Sequence, residues 1–483
     1  MNKNIIIIGS GFSSISAACY LAKEGNQVQV LEKNDTLGGR ARQFKKDGFT
    51  FDIGPSWYWM PDVFEKFFGD FDRKVSDYYS LEKLDPGYEV YFDQMESIKI
   101  GDTLEKIYDA FEAEEVGSAT KLKKFIKKAE DNYNIAIKDL VYRPGISPLE
   151  LVTPATVKKV GYFLSTIKRE VTKEFKNKRL AQILQFPVLF LGAKPSNTPA
   201  FYNFMNFADF GLGTWHPEKG MYSVVEGMVK MAKELGVEFT TRQNVEHICV
   251  ENGKATGVIA NGARLDADIV VSGADYNHSE SLLNAKYRAY TDAYWDKKVF
   301  APSSLLFFIG LDKKMKNVSH HTLFFDVDFD AHAQSIYDTP EWPKEPLFYG
   351  NFPSITDGSM APKGKEACFI LIPIGPGIED TEEMREKYFN IVIERLEHLT
   401  KQSIKENILF KESFCVNDFV NEYNSYKGNA YGMANTLLQT AFLRPKLKSK
   451  KVENLFFTGQ LTVPGPGVPP ALISGKLVAS LVG

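Results

Sequence analysis

Four consecutive isoleucines, Ile5 to Ile8, run straight into Gly9-Ser10-Gly11, and that junction constrains the chain more than any other feature. An unbroken β-branched run of this kind suits a parallel strand buried on both faces. Beyond the glycines, Ile15, Ala18, Cys19 and Ala22 recur at helical spacing. Gly25-Asn26 stops that helix, and Val28 to Leu31 forms a second strand ending in Glu32. Such a βαβ unit is built to hold the pyrophosphate of a dinucleotide. Gly9 permits the tight turn, Gly11 lets the backbone close on the anion, and Phe12 and Ser13 open a helix with free N–H groups. Glu32 is placed to accept from ribose hydroxyls and to repel a 2′-phosphate. The third glycine of the fingerprint is replaced by Ser14, which crowds the helix–strand contact.

Composition narrows the class. With 58 basic against 61 acidic residues among 483, the net charge of −3 provides no field to gather nucleic acid. The four cysteines lie far apart without a CxxC pair, which suits a reducing compartment, and a metal centre is not expected from 7 histidines whose one close pair is His320-His321. The glycines at 9 and 11 interrupt the first apolar run, so it is expected to be strand, turn and helix rather than a signal peptide. No run reaches the ~18–20 apolar residues of a membrane span. The expected location is cytoplasmic, free or on a membrane face.

Directly after Glu32 and Lys33 comes a second glycine-rich turn, Leu37-Gly38-Gly39-Arg40-Ala41-Arg42, whose Arg40 can approach the pyrophosphate from the other side. This arrangement resembles the glutathione-reductase-type flavoproteins, particularly their amine oxidase and phytoene desaturase branch. No second strand–glycine–helix unit follows. Gly211-Leu212-Gly213 leads into Thr214-Trp215-His216-Pro217, which cannot open a standard helix, so the acceptor that reoxidises the flavin is expected to be oxygen or a quinone.

Two later segments return to the nucleotide domain. Val237–Thr240, Val245–Val250 and Ala255–Ile259 read as short strands, the last two split by Asn252-Gly253, a type I′ hairpin signal. Asp268 to Ala274 reads as a buried strand and turn. Asn454 to Gln460 reads as another, followed by a Gly/Pro-rich loop and a small apolar helix.

The runs Gly54-Pro55-Ser56-Trp57, Gly213 to Met221 and Gly459 to Pro470 resemble the bacterial phytoene desaturase family, and the likeness spans both ends and the middle of the chain. The resemblance implies an α/β fold in which a glutathione-reductase-type (Rossmann-like) FAD-binding domain carries a mixed-sheet substrate domain and a helical cap. It implies FAD as cofactor and desaturation of a long acyclic carotenoid by hydride transfer to flavin, either of the phytoene type or at the 3,4 bond of a 1-hydroxycarotenoid. The residues it assigns to FAD are Gly9, Gly11, Phe12, Ser13, Glu32, Lys33, Gly39, Arg40, Gly54, Pro55, Ser56, Trp57, Val245, Gly459, Gln460, Gly467, Val468 and Pro469. Gln460 stands where many relatives in the wider superfamily have Asp. A flavin amine oxidase, a carotenoid isomerase and a non-catalytic GDI-like prenyl or lipid carrier are the alternatives.

The expected division is 1–100, 236–280 and 446–483 for FAD, with 101–235 as helical cap and 281–445 as the rest of the substrate domain. Lys121–Leu140 and Thr156–Lys178 read as amphipathic helices, and Val299–Leu311 and Cys368–Pro373 as strands. Two aromatic stretches, Phe186–Leu191 and Phe201–Phe207, are candidates for lining a polyene channel or for plain core. Eight basic residues between Lys158 and Arg179, beside Val157, Val160, Phe163, Leu164, Ile167 and Val171, suggest a helix lying on a membrane surface. Polar assistance to catalysis is assigned to Asp139, Arg143 and His216. Asp139 and Arg143, four apart, also have the spacing of a helix ion pair.

Overall fold

The computed structural model describes residues 2–436 and 438–483. Its first layer is a five-stranded parallel sheet in the order 455–457, 269–272, 4–8, 27–31 and 238–240, so strands remote in sequence flank the isoleucine run. The helix Phe12–Lys23 covers this sheet and crosses the C-terminal helix Val468–Val482 at very short range. A Cβ on Gly475 would lie 2.5 Å from the Ser13 carbonyl and 2.7 Å from Ala17 N, so only glycine fits the crossing. Ser16 Oγ then donates to Leu472 O at 2.7 Å, and the two chain ends are clasped. Ser14 is accommodated from the opposite side. A Cβ on Gly273 would lie 1.9 Å from Ser14 Oγ, so the glycine missing from the helix is supplied by the neighbouring strand.

Strands Val245–Glu251, Lys254–Ala260 and Ala263–Asp266 form an antiparallel meander beside this layer. Its first turn has Asn252 at φ +50° and Gly253 at φ +77°, as a type I′ hairpin requires.

The second layer is a seven-stranded mixed sheet in the order 408–414, 303–311, 366–374, 348–351, 321–324, 88–93 and 96–100. Tyr88–Asp93 and Glu96–Ile100 belong to it, so the chain leaves the first layer before residue 100. Along Ser303–Leu311, side chains alternate between two cores. Leu305, Phe307 and Ile309 pack with Phe389, Val392 and Leu396 of the helix Glu382–Thr400, while Leu306 and Phe308 face the nucleotide side.

The cap holds the long helix Ser118–Lys138, but the single helix expected over 156–178 is absent. Short helices Pro154–Lys158, Val160–Leu164 and Ile167–Glu174 replace it. Ser165 and Thr166 are extended there. Ser165 O accepts from Ala200 N at 2.9 Å, Ile167 N donates to Thr198 O at 3.0 Å, and Thr166 Oγ1 caps the next helix. Pairing with a distant segment outweighs the local helical pattern.

Candidate functional site

All eighteen residues assigned to the cofactor line one cavity, which continues from the nucleotide sheet into the seven-stranded sheet. Its free volume, mouth included, is about 2870 Å³. Three turns converge at its nucleotide end. Gly9 adopts φ +85°, a Cβ on Gly39 would come within 3.1 Å of Gly11 Cα, and one on Gly54 would lie 2.0 Å from the Arg40 carbonyl. Glu32 is buried beneath them. Its Oε2 accepts from Ser10 N at 3.0 Å and Ser10 Oγ at 2.7 Å, and its Oε1 from Asn34 N at 2.9 Å. The carboxylate is thereby held rigidly at the end of the second strand, beneath the glycine turns.

Arg40 supplies the charge. Burial pulls its guanidinium below the ordinary value, with Asp275 opposing that fall, and its Nε is buried without a hydrogen-bond partner among the described residues. Its terminal nitrogens meet Ser425 Oγ and, in the amide orientation that satisfies both ends of Gln460, Gln460 Oε1 at 3.1 and 3.2 Å. A buried guanidinium with an orphan N–H on a glycine cradle is a fit for a pyrophosphate. Gln460 therefore works here as an acceptor for Arg40, a role an amide fills without adding charge. Lys33 turns away, its Nζ donating to Asn421 O at 2.7 Å.

At the C-terminal loop, Gly459 and Gly467 have φ +110° and +113°. Pro469 and Pro470 carry no N–H, so Gly467 and Val468 hold the donors that this turn can aim into the cavity.

The catalytic candidates lie elsewhere. Asp139 and Arg143 form a partly exposed ion pair, Nη2 to Oδ2 2.6 Å, and neither lines the cavity. His216 is buried in the strand Trp215–Pro217, 3.2 Å from Asp357 Oδ2, and it too is absent from the wall. The aromatic stretches divide. Phe186, Leu189, Phe190 and Leu191 line the cavity, whereas Phe201 packs into the core against Phe163 and the second stretch contributes only Met205.

Sequence reading missed much of the apolar wall, which comes from the seven-stranded sheet: Ser304 and Leu306, Leu323, Leu371 and Pro373, with Phe325, Phe329 and Ile336 nearby. The two-residue spacing within Ser304/Leu306 and Leu371/Pro373 is the strand period, a signal present in the sequence but without a direction until the sheet is paired.

A family model described as flavin containing amine oxidoreductase matches residues 13–483. A carotenoid 3,4-desaturase of Haloarcula japonica is 39% identical over 99% of this chain and 97% of its own length. A zeta-carotene-forming phytoene desaturase of Myxococcus xanthus is 30% identical over 99% and 93%. Among solved structures, an oxidoreductase from Methanosarcina mazei superposes with a TM-score of 0.65 at 16% identity, covering 98% of each chain, a likeness of fold.

Proposed function

The chain belongs to the flavin-containing amine oxidoreductase family, and from that premise we propose that it is an FAD-dependent desaturase of long acyclic carotenoids. The observation that carries this reading is the 39% identity, sustained over 99% of the chain, to a carotenoid 3,4-desaturase. Bound FAD supplies the hydride acceptor. The protein supplies the rest. The Gly9–Ser13 turn and Arg40 would hold the cofactor's pyrophosphate, Glu32 its ribose hydroxyls, and the Gly467–Val468 turn would offer further N–H donors. Phe186, Phe190, Leu306 and Leu371 keep water from the cation that develops along the polyene.

A small amine would need a compact polar cage, which a long apolar cavity does not offer. One feature favours the 3,4-desaturation of a 1-hydroxycarotenoid over phytoene-type chemistry. Ser304, Tyr337 and Tyr431 bring hydroxyl-bearing side chains to the apolar wall, and Ser304 Oγ is buried with no partner among the described residues. A substrate hydroxyl would satisfy it. The test is anaerobic mixing of the yellow protein with phytoene and with a 1-hydroxycarotenoid, followed by mass analysis of the pigment. Flavin bleaching with loss of two hydrogens from the hydroxylated substrate is expected. Isomerised pigment of unchanged mass, or a protein that holds no flavin, refutes the reading.

Peripheral membrane attachment belongs to the same proposal, since a polyene is delivered from lipid. Among the described residues no helix is long and apolar enough to cross a membrane. Ile146, Leu149, Val152, Val157 and Leu164 are exposed along one segment that also carries Lys158 and Lys159. Lys168, in contrast, is engaged with Asp330 at 2.7 Å. Replacing Leu149, Val157 and Leu164 by Ser should reduce co-sedimentation with anionic vesicles, and undiminished pelleting refutes this surface.

A further inference from the structure

A buried dyad stands on the cavity wall beside the Gly54–Trp57 segment. Tyr349 lines the cavity with Ser56 and Trp57, and its hydroxyl lies 2.6 Å from His321 Nδ1 and 3.0 Å from Ser56 Oγ. Sheet register creates the pair. His321 sits opposite Asn351 and Leu323 opposite Tyr349 in antiparallel strands, so His321, Tyr349 and Asn351 share one face.

The proton positions follow from the neighbours. Asn351 Nδ2 donates to His320 O at 3.1 Å, which orients its amide, and the same nitrogen lies 3.2 Å from His321 Nδ1. Nδ1 is therefore an acceptor and the ring proton sits on Nε2. Its single lone pair is taken by the closer Tyr349 hydroxyl, and the 3.2 Å approach of Asn351 Nδ2 is the weaker contact, given up when Nδ1 gains a proton. His321 Nε2 is buried without a partner among the described residues. Trp57 stacks on the imidazole at 4.1 Å between centroids and 12° between planes, and His320 lies 4.5 Å away on another side.

We propose that Tyr349, backed by His321, takes the proton that desaturation releases. The proposal deepens the desaturase reading and rests on it. With bound flavin as the two-electron acceptor, loss of hydride from the substrate would leave an electron-poor allylic carbon. The adjacent C–H bond breaks in the same step, so proton removal limits flavin reduction, and its electron pair becomes the new π bond. The proton passes to Tyr349 Oη while the original hydroxyl proton passes to His321 Nδ1. The substrate is oxidised by two electrons and the flavin is reduced by them. A C–H bond beside a carbocation is strongly acidic, so a neutral phenol–imidazole pair is base enough and no carboxylate is required. Burial, reinforced by His216, holds His321 well below its ordinary value, so the ring is neutral at ordinary pH and it is the acidity of the C–H beside the cation that drives a proton onto it. The Trp57 face then meets the imidazolium as a cation–π partner.

The experiment uses flavin-loaded enzyme, Tyr349→Phe, His321→Gln and the double variant, mixed anaerobically with the acyclic carotenoid that the wild type oxidises, in H₂O and D₂O. Both single variants should keep flavin and bind carotenoid, yet bleach at least about 100-fold more slowly, as loss of a positioned base predicts. The double variant should be no slower than the slower single variant, because the two groups act as a unit. A solvent deuterium effect on bleaching should be present in the wild type and lost in Tyr349→Phe, a readout that a merely structural tyrosine would not move. Independently of turnover, ¹⁵N-histidine spectra should show His321 protonated at Nε2 and hydrogen-bonded at Nδ1, with the Nδ1 signal moving in Tyr349→Phe. Wild-type bleaching rates in both single variants, or a His321 proton on Nδ1, overturn the proposal. A wild-type flavin that no acyclic carotenoid bleaches is the distinct outcome that fails the desaturase reading itself.

Discussion

His332, in the helix Phe329–Tyr337 on the cavity wall, makes the fold measurably sensitive to acid. Its Nε2 lies 2.8 Å from Pro373 O and its Nδ1 accepts from Leu347 N at 2.8 Å. That pair of bonds needs the neutral ring with its proton on Nε2, because a proton on Nδ1 would face the Leu347 N–H. Burial, with a smaller push from the Arg395 charge, lowers His332 to about 4, against 6.5 for a free histidine. Below pH 6.5 the unfolded chain therefore binds a proton that the folded protein refuses. The contribution is fully present above pH 6.5 and is lost as pH falls toward 4. Each unit of separation is worth about 1.4 kcal/mol, so the window amounts to about 3 kcal/mol. His332→Gln can offer one donor and one acceptor at the same place but does not titrate. Denaturant unfolding of flavin-loaded wild type and variant should therefore show the wild type losing about 3 kcal/mol between pH 7 and pH 4 that the variant keeps. His278, also lowered to about 4, and Asp52, raised to about 6 by burial, titrate alike in both proteins and cancel in the difference. Parallel pH profiles for the two proteins would refute the reasoning.

Gly475→Ala should destabilise the clasp of the two terminal helices by about 1–3 kcal/mol, since the new methyl meets backbone on the partner helix. Thermal melting with flavin release checks this, and an unchanged melting temperature and flavin content would show that the crossing tolerates a side chain. Arg444 is wholly buried and donates to Thr462 O, Gln460 O, Met433 O, Gln439 O and Asn435 Oδ1, tying two loops beside the cavity. Arg444→Met leaves those acceptors unpaired and should cost about 3–5 kcal/mol, with flavin lost on gel filtration before the chain unfolds.

The nucleotide half was legible in the sequence because its signals are local. The β-branched run, Gly9, Gly11 and Glu32 occupy one contiguous βαβ unit, and Asn252-Gly253 carries its own turn geometry. Every residue assigned to the cofactor reached the same cavity. The substrate half was legible as elements but not as a site. The expected boundary at residue 100 did not foresee that Tyr88–Asp93 pairs with His321–Phe324, more than two hundred residues later, and carries Glu96–Ile100 with it as the edge strand. The basic segment read as one helix, yet Ser165 and Thr166 are drawn into pairing with Thr198 and Ala200.

Local periodicity and turn chemistry, then, settled from residue order alone that this chain builds a dinucleotide fold with a second glycine turn around Arg40. Which face of Ser303–Leu311 and Glu366–Ile374 lines the cavity and how Tyr349 meets His321 depended on strand register, while the inward aromatics of Phe186–Leu191 and the Gln460–Arg40 contact depended on how distant segments pack. A strand has two faces and its sequence does not say which is inward. Only pairing with distant neighbours chooses, and a shift of one residue would exchange every wall side chain for its neighbour.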